Sequence, residues 1–183
     1  MSLPVEFFGA WRRVGLIIDG VRRVDYCDVL WLQSPDWFAD IRTHIQPGVG
    51  PAADDPHAAF SGELSFAGKT EFTAPRLHWI HTLDSRGEAP PDQNPVTWQD
   101  ELLIESGSFE WDGRLVPFVE EWGYLGTDGL TAVGRDGYVR VEAARFAIEV
   151  SAVAGLFRAV KYQDRGGNWV EVARVDTELS DQH

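Results

Sequence analysis

Short segments in which β-branched and aromatic residues alternate with polar ones run along most of the chain. WRRVGLII, SGELSFAG and NWVEVARVDT are examples, and about ten such segments follow one another without helical units between them. This period of two predicts β-strands. Turn signals separate the segments, among them Asp-Gly pairs, which close tight hairpins. The pairs are Asp19-Gly20, Asp112-Gly113, Asp128-Gly129 and Asp136-Gly137. The pattern predicts an all-β fold, an antiparallel up-and-down barrel of about nine or ten strands.

The segment YVRVEAARFAIEVSAVAGLF, residues 138–157, fits two periods. Val139 and Val141 share one face of a strand, whereas Ile148 and Val150 have the other parity. A bulge near Ala143 would reconcile them by adding one residue. The spacing of the apolar residues at 146–157 also fits a helix, but the β-branched residues and the lack of a cap favour a strand.

Two longer connections interrupt the strands. Residues 46–59, QPGVGPAADDPHAA, and residues 84–95, DSRGEAPPDQNP, are rich in proline and small or polar residues. Proline cannot donate to a central sheet ladder, so neither segment is a central strand. Loops of this length often cover a binding mouth, and simple surface excursions are the alternative interpretation.

Composition and charge narrow the classes of protein. The chain is 44% hydrophobic and 12% aromatic, which is sufficient for one domain over 1–183 with a core at about 9–175. A net charge of -13 argues against partners such as nucleic acids and anionic membranes. Cys27 is the single cysteine, and the start of the chain has no secretory signal, so we expect a cytoplasmic protein. The sequence leaves open whether the protein forms a homodimer.

Gly9-Ala10-Trp11 stands where the first predicted strand begins. In lipocalin-like barrels a Gly-x-Trp lies at this place, and its tryptophan plugs the closed end, often under a basic side chain from a late strand. Candidates for that basic residue are Arg140, Arg145 and Arg158.

Four further segments carry a more specific resemblance. VLWLQSPDWFADIR, SGELSFAGKTEF, LHWIHTLD and FVEEWGYL come in this order between residues 29 and 125. The chain resembles a bacterial family of uncharacterised lipocalin-like proteins, related to a fungal protein made of two such barrels. The resemblance covers about 9–162 and implies a calycin-type barrel with inward-facing polar residues, but no particular activity. His81 stands where the family usually has a basic residue in a Trp-x-basic-x-x-Asp pattern.

Strand parity selects the candidate site residues, because residues two apart share a face. Asp40 shares a face with Arg42, while Glu121 points away from Glu120. The predicted ligand-binding residues are Trp31, Gln33, Arg42, Trp79, His81, Glu120 and Trp122. The indoles would form walls for a small apolar or aromatic ligand, Arg42 would meet an anionic or carbonyl group, and His81 and Glu120 would exchange hydrogen bonds with it. Each of these residues also fits a purely structural role.

Two other classes of function stay open. An isomerase, lyase or hydratase on the same barrel would use His81 or Glu120 to move a proton and Arg42 to stabilise negative charge. Glu120 would then pair with Asp100 or Glu101 on a neighbouring strand. A filled barrel would instead indicate an interaction protein. His78 and His81 lie on opposite strand faces, so we expect no metal site, and no motif indicates a cofactor.

Overall fold

A computed structural model describes residues 3–88 and 91–179, and in this part of the chain fourteen strands and two short 3-10 helices form an all-β fold. The predicted fold class is confirmed. The helices are Val5–Phe7 and Pro56–Phe60. The strands are β1 (Gly9–Ile18), β2 (Val21–Arg23), β3 (Cys27–Gln33), β4 (Phe38–His44), β5 (Leu64–Thr73), β6 (Arg76–Asp84), β7 (Asp92–Gln99), β8 (Leu102–Trp111), β9 (Arg114–Gly126), β10 (Thr131–Arg135), β11 (Tyr138–Ala143), β12 (Phe146–Val153), β13 (Leu156–Asp164) and β14 (Trp169–Glu178).

Eight of these described strands close into an antiparallel barrel. The order is β1-β3-β4-β5-β6-β7-β8-β9, and β9 returns to pair with β1, with Ala10 opposite Gly126 and Ile18 opposite Phe118. The short strand β2 only extends β1 as a hairpin. Closure leaves the wall without the unpaired edge of an open sheet. The predicted barrel is therefore confirmed, with eight strands in its wall.

The last five strands form a second antiparallel sheet, β10-β11-β12-β13-β14, which packs on the outside of β3, β4 and β5. This is why the barrel has fewer strands than the nine or ten that the pattern predicts. One apolar core joins the two sheets, with Leu30, Leu32, Ala39, Ile41 and Ala67 from the barrel and Val139, Val141, Ile148, Val150 and Phe157 from the second sheet. Strands β3 and β4 are thus buried on both faces, which matches their nearly continuous apolar sequence.

Trp37 fastens the turn between β3 and β4 to the second sheet. Its indole lies flat against Gly134 of β10, where any side chain would overlap the ring. The Lys69 ammonium lies over the Trp37 ring, 3.5 Å from its centroid. The indole thus gains a cation–π contact and a close backbone contact together.

The ambiguous segment 138–157 consists of strands, as favoured, but it contains a hairpin instead of a bulge. Ala144 and Arg145 have φ of 49° and 70°, and Ala143 pairs with Phe146 across them. Two consecutive positive φ values are typical of a type I′ turn. The turn starts a new strand, so the inward-facing residues after it fall at even instead of odd positions. The same geometry occurs at the predicted Asp19-Gly20 and Asp112-Gly113 turns.

Trp11 closes one end of the barrel. Its indole is buried, donates from Nε1 to the Phe7 carbonyl oxygen at 2.9 Å, and stacks on Trp31 with 5.7 Å between ring centroids. The prediction that a basic side chain from a late strand covers Trp11 is wrong, because the late strands form the second sheet outside the barrel. Arg140 lies instead over Tyr162 in the second sheet, and Arg158 and Arg145 bond to Asp176 and the Asp164 carbonyl oxygen.

Among the described residues no helix has the length and apolar character needed to cross a membrane.

Candidate functional site

The barrel contains a cavity of about 280 Å³ that is partly open to solvent, so its interior is not filled by side chains. Both of the long connections noted in the sequence border this space. Ala59 and Phe60 come from the connection after β4, and Arg86 and Pro91 from the connection after β6. The volume is slightly below the range of about 300–1,000 Å³ that small-molecule sites occupy, so a small ligand is expected.

Three tryptophans form an aromatic wall of the cavity. The planes of Trp79 and Trp122 stand at 78° and 73° to the plane of Trp31, with centroids 5.6 Å and 5.7 Å from it. All three are buried and line the cavity, and Trp11 lies behind Trp31. Phe66 and Phe118 add further aromatic surface. Such walls suit a flat apolar ligand face.

Arg42 brings a positive charge into this aromatic space. Its Nε donates to Asp40 Oδ1 at 3.0 Å, and its guanidinium carbon lies 5.2 Å from the centroid of the Phe66 ring. Burial alone would lower the pKa of Arg42, but the negative charges of Asp40, Glu120 and Asp92 outweigh burial and raise it. Arg42 therefore stays charged.

Glu105 and Glu120 face each other across β8 and β9. Glu120 Oε1 accepts from Arg13 Nη1 at 2.5 Å, and Arg13 also makes a two-pronged bond to Asp25. Glu105 accepts instead from neutral donors, Asn94 Nδ2 at 2.8 Å and Trp122 Nε1 at 3.1 Å.

The two carboxyl groups consequently differ in their electrostatic surroundings. Burial, followed by the negative charge of Glu120, raises the pKa of Glu105 well above its ordinary value. Among the described residues no cation bonds to Glu105, whereas Glu120 shares an ion pair with Arg13. The site thus holds one carboxyl group whose protonated form is favoured beside another that is paired with a guanidinium.

His81 lies behind the cavity wall. Its side chain is 1% exposed, and its ring stacks on Phe66 with centroids 4.2 Å apart and planes 8° apart. Nδ1 lies 2.8 Å from Asp84 Oδ2 and Nε2 lies 3.0 Å from Asp92 Oδ2. Burial would lower the pKa of His81, but the bonds to these two carboxylates outweigh it and raise the pKa, because both nitrogens must donate.

A bulge brings His81 and Asp84 together, although residues three apart on a regular strand lie on opposite faces. The pairing of β5 with β6 shifts between Ala67 and Gly68, so that Ala67 pairs with Leu83 and Gly68 with His81. Thr82 is the extra residue. A side chain at Gly68 would overlap the Ile80 carbonyl oxygen, so glycine permits the close approach. This explains the Trp-x-His-x-x-Asp spacing in physical terms.

The structure brings five of the seven sequence-predicted site residues to the cavity surface, namely Trp31, Arg42, Trp79, Glu120 and Trp122. Gln33 and His81 do not line it. Gln33 is fully buried, where its Oε1 accepts from Trp31 Nε1 at 3.3 Å and from Thr70 Oγ1 at 2.8 Å. Gln33 therefore positions an indole, and His81 supports Phe66.

Several cavity residues escaped the sequence reasoning, and the carboxyl partner of Glu120 was wrong. Asp100 and Glu101 lie exposed at the turn between β7 and β8, and the partner is Glu105. The Asp112-Gly113 turn carries a signal for it, because Trp111 pairs with Arg114 and six further residues along each strand place Glu105 opposite Glu120. Other missed cavity residues include Phe66, Arg86, Asp92, Asn94 and Phe118. Arg13 was missed as well; it does not line the cavity but bonds to Glu120.

Cys27 and the described histidines form neither a thiolate centre nor a metal site. Burial raises the pKa of the Cys27 thiol to about 11, so it is protonated at neutral pH. Over residues 3–88 and 91–179, no three His, Cys, Asp or Glu side chains are arranged to hold a metal ion.

The closed antiparallel barrel, with Gly-x-Trp at the start of its first strand, is consistent with a lipocalin-like fold. Comparisons with models of protein families, with curated proteins and with solved structures gave no match for this chain. Membership of the bacterial family, and the relation to the fungal two-barrel protein, stay predictions.

Proposed function

We propose that this protein binds a small aromatic molecule inside its barrel. One observation carries the proposal: a cavity of about 280 Å³ has aromatic walls and also charged side chains whose hydrogen-bonding capacity is only partly used. Core residues without a ligand role are normally apolar or fully bonded, because an unpaired polar group in a buried place is costly. A few polar groups among aromatic walls are the usual composition of a small-molecule site.

The aromatic residues would define the shape of the site, and the charged residues would orient the ligand. Trp31, Trp79 and Trp122 would contact the flat faces and edges of the ligand. Arg42 would donate to an oxygen of the ligand, and Glu120 would accept from it. The net charge of -13 also fits a small-molecule partner better than a nucleic acid or an anionic membrane.

Native mass spectrometry tests the proposal on protein purified gently from its own cells, with a denatured sample as control. We expect an excess mass that disappears on denaturation. Thermal unfolding with toluene and benzamide at saturating concentration gives a second measurement, because a ligand that binds only the folded state raises its melting temperature. A protein with neither an excess mass nor a raised melting temperature would contradict the proposal.

One observation favours an enzyme as the second candidate: Glu105 and Glu120 face each other, the first bonded to neutral donors and the second to Arg13. Two carboxyl groups with opposite protonation states can give and take a proton in the same turnover, as an isomerase, lyase or hydratase requires. The test incubates the compound recovered from the protein with wild-type protein and with Glu105→Gln. Conversion by the wild type alone would support the enzyme, and recovery of the unchanged compound from both would exclude this chemistry for it.

A further inference from the structure

The polar groups of the cavity define the chemical class of the ligand, and this inference rests on the proposed function. Arg42 has donors to spare. Only its Nε bonds to a described residue, Asp40, while the two Nη groups donate to none of the described residues. Because Arg42 lines the cavity, these groups offer a pair of N–H donors to a ligand oxygen.

Three carboxylates around the cavity have acceptors to spare. Asp40, Asp92 and Glu120 each accept one side-chain bond through a single oxygen, from Arg42, His81 and Arg13. Within the described part of the chain, the second oxygen of each accepts no further side-chain hydrogen bond. The cavity therefore presents acceptors as well as donors, and a ligand with only one kind leaves the other without a partner.

The charges in and behind the cavity nearly balance. Counting only groups that share an ion pair, four cations stand against five anions among the described groups of this network. A ligand with a full charge would meet groups of its own sign: an anion would face the three free carboxylate oxygens, and a cation would face the Arg42 guanidinium. The cations are Arg13, Arg42, His81 and Arg86, and the anions are Asp25, Asp40, Asp84, Asp92 and Glu120.

We propose that the cavity binds a neutral, planar aromatic carboxamide or lactam. The ligand carbonyl oxygen accepts from the Nη groups of Arg42, and its N–H donates to a free carboxylate oxygen of Asp40, Asp92 or Glu120. The aromatic ring lies among Trp31, Trp79 and Trp122. A group with a C=O beside an N–H is the smallest neutral unit that uses both sets of cavity groups at once.

Four benzene derivatives of similar size separate this class from its neighbours. Benzamide has both the acceptor and the donor, methyl benzoate has the acceptor alone, benzoate is an anion and benzamidinium is a cation. We expect benzamide to bind at least tenfold more tightly than each of the other three, measured by calorimetry and ligand-observed NMR at pH 7.

Arg42→Lys tests the carbonyl contact, because it keeps the charge beside Asp40 and removes the planar pair of donors. Its benzamide affinity should fall at least tenfold. Arg140→Lys is the matched control, since Arg140 also bonds to a carboxylate and lies 5.2 Å from an aromatic centroid, but in the second sheet. Benzamide affinity in this control should equal the wild-type value.

The outcomes separate the class of ligand from the function itself. If benzoate or benzamidinium binds most tightly, or methyl benzoate equals benzamide, the barrel is a binding protein but the inference about an amide is wrong. If Arg42→Lys, with an unchanged circular dichroism spectrum, binds benzamide as tightly as the wild type, the assigned carbonyl contact is wrong. If none of the four probes binds, the inference fails, and the excess-mass measurement decides the proposed function independently.

Discussion

Arg13 is expected to be a main electrostatic support of the cavity, and Arg13→Met tests this. The Arg13 side chain is 0% exposed and that of Glu120 is 4% exposed, and Arg13 bonds to Asp25 at 2.6 Å and 2.7 Å as well as to Glu120. Removing one partner of a buried ion pair costs about 3–5 kcal/mol, because the other charge stays buried without compensation. For a chain of this size about 2–4 °C corresponds to each kcal/mol, so the melting temperature should fall by roughly 6–20 °C.

A double-mutant cycle isolates the pair from the general loss of packing. Glu120→Gln keeps the shape of the side chain and one acceptor, and should cost about 1.5–3 kcal/mol, the contribution of a hydrogen bond to a charged group. Once Arg13 is methionine, the same change removes an uncompensated charge. The double variant should therefore be no less stable than Arg13→Met alone, which makes the cycle non-additive by at least about 1.5 kcal/mol.

Urea unfolding followed by tryptophan fluorescence measures all three variants at pH 7. Arg22→Met is the matched control, because Arg22 bonds to Glu121, the outward neighbour of Glu120 on β9, and is 60% exposed. Water screens that pair, so its loss should leave the unfolding midpoint nearly unchanged. An Arg13→Met variant that loses less than about 1 kcal/mol, or a cycle that is additive, would refute the reasoning.

Three further variants test other parts of the structure by urea unfolding. Because the pKa of Glu105 is raised in the folded state, the wild type should lose stability relative to Glu105→Gln as the pH rises from 4.5 through that pKa. Equal pH profiles of the two proteins would contradict the raised pKa. The raised pKa of His81 predicts the opposite comparison: the wild type exceeds His81→Gln most below pH 6.5, and its advantage shrinks as the pH rises through the folded pKa. A constant advantage would argue against an imidazolium. Gly134→Ala forces the Trp37 indole aside and should cost about 1–3 kcal/mol through overpacking, and an unchanged midpoint would show that the ring can move without cost.

Local rules predict the wall of the barrel well. Strand parity places Trp31, Arg42 and Glu120 inside and Glu121 outside, because each lies on a regular stretch where the period of two holds. Three of the four Asp-Gly pairs close hairpins, at Asp19-Gly20, Asp112-Gly113 and Asp136-Gly137. The prediction is wrong for Asp128-Gly129, which connects β9 of the barrel to β10 of the second sheet, because these two strands do not pair.

The rest depends on contacts that no local pattern encodes. His81 meets Asp84 only because Thr82 bulges, and a bulge changes parity without a distinctive residue at the bulged position. Strands β11–β13 alternate like those of the barrel, and they leave it because β9 closes on β1. The pKa of Glu105 depends on which side chain lies opposite it, and the register of the hairpin between β8 and β9 determines that side chain.

The second sheet gives the barrel two sides of unequal stiffness. Around β3 and β4 the wall is dry on both faces, and opening it would expose two apolar layers together. Half of the residues of strand β7 are exposed, the strand holds Pro95, and in the described part of the chain it pairs with β6 only through Arg76–Trp79. Amide hydrogens of β7 should therefore exchange with deuterium long before those of β3 and β4. Asp92 and Asn94 lie on β7 and border the cavity. Opening the pairing between β6 and β7 would therefore let a ligand leave sideways through the wall. A bound ligand should slow the hydrogen exchange of β7 before that of the other strands.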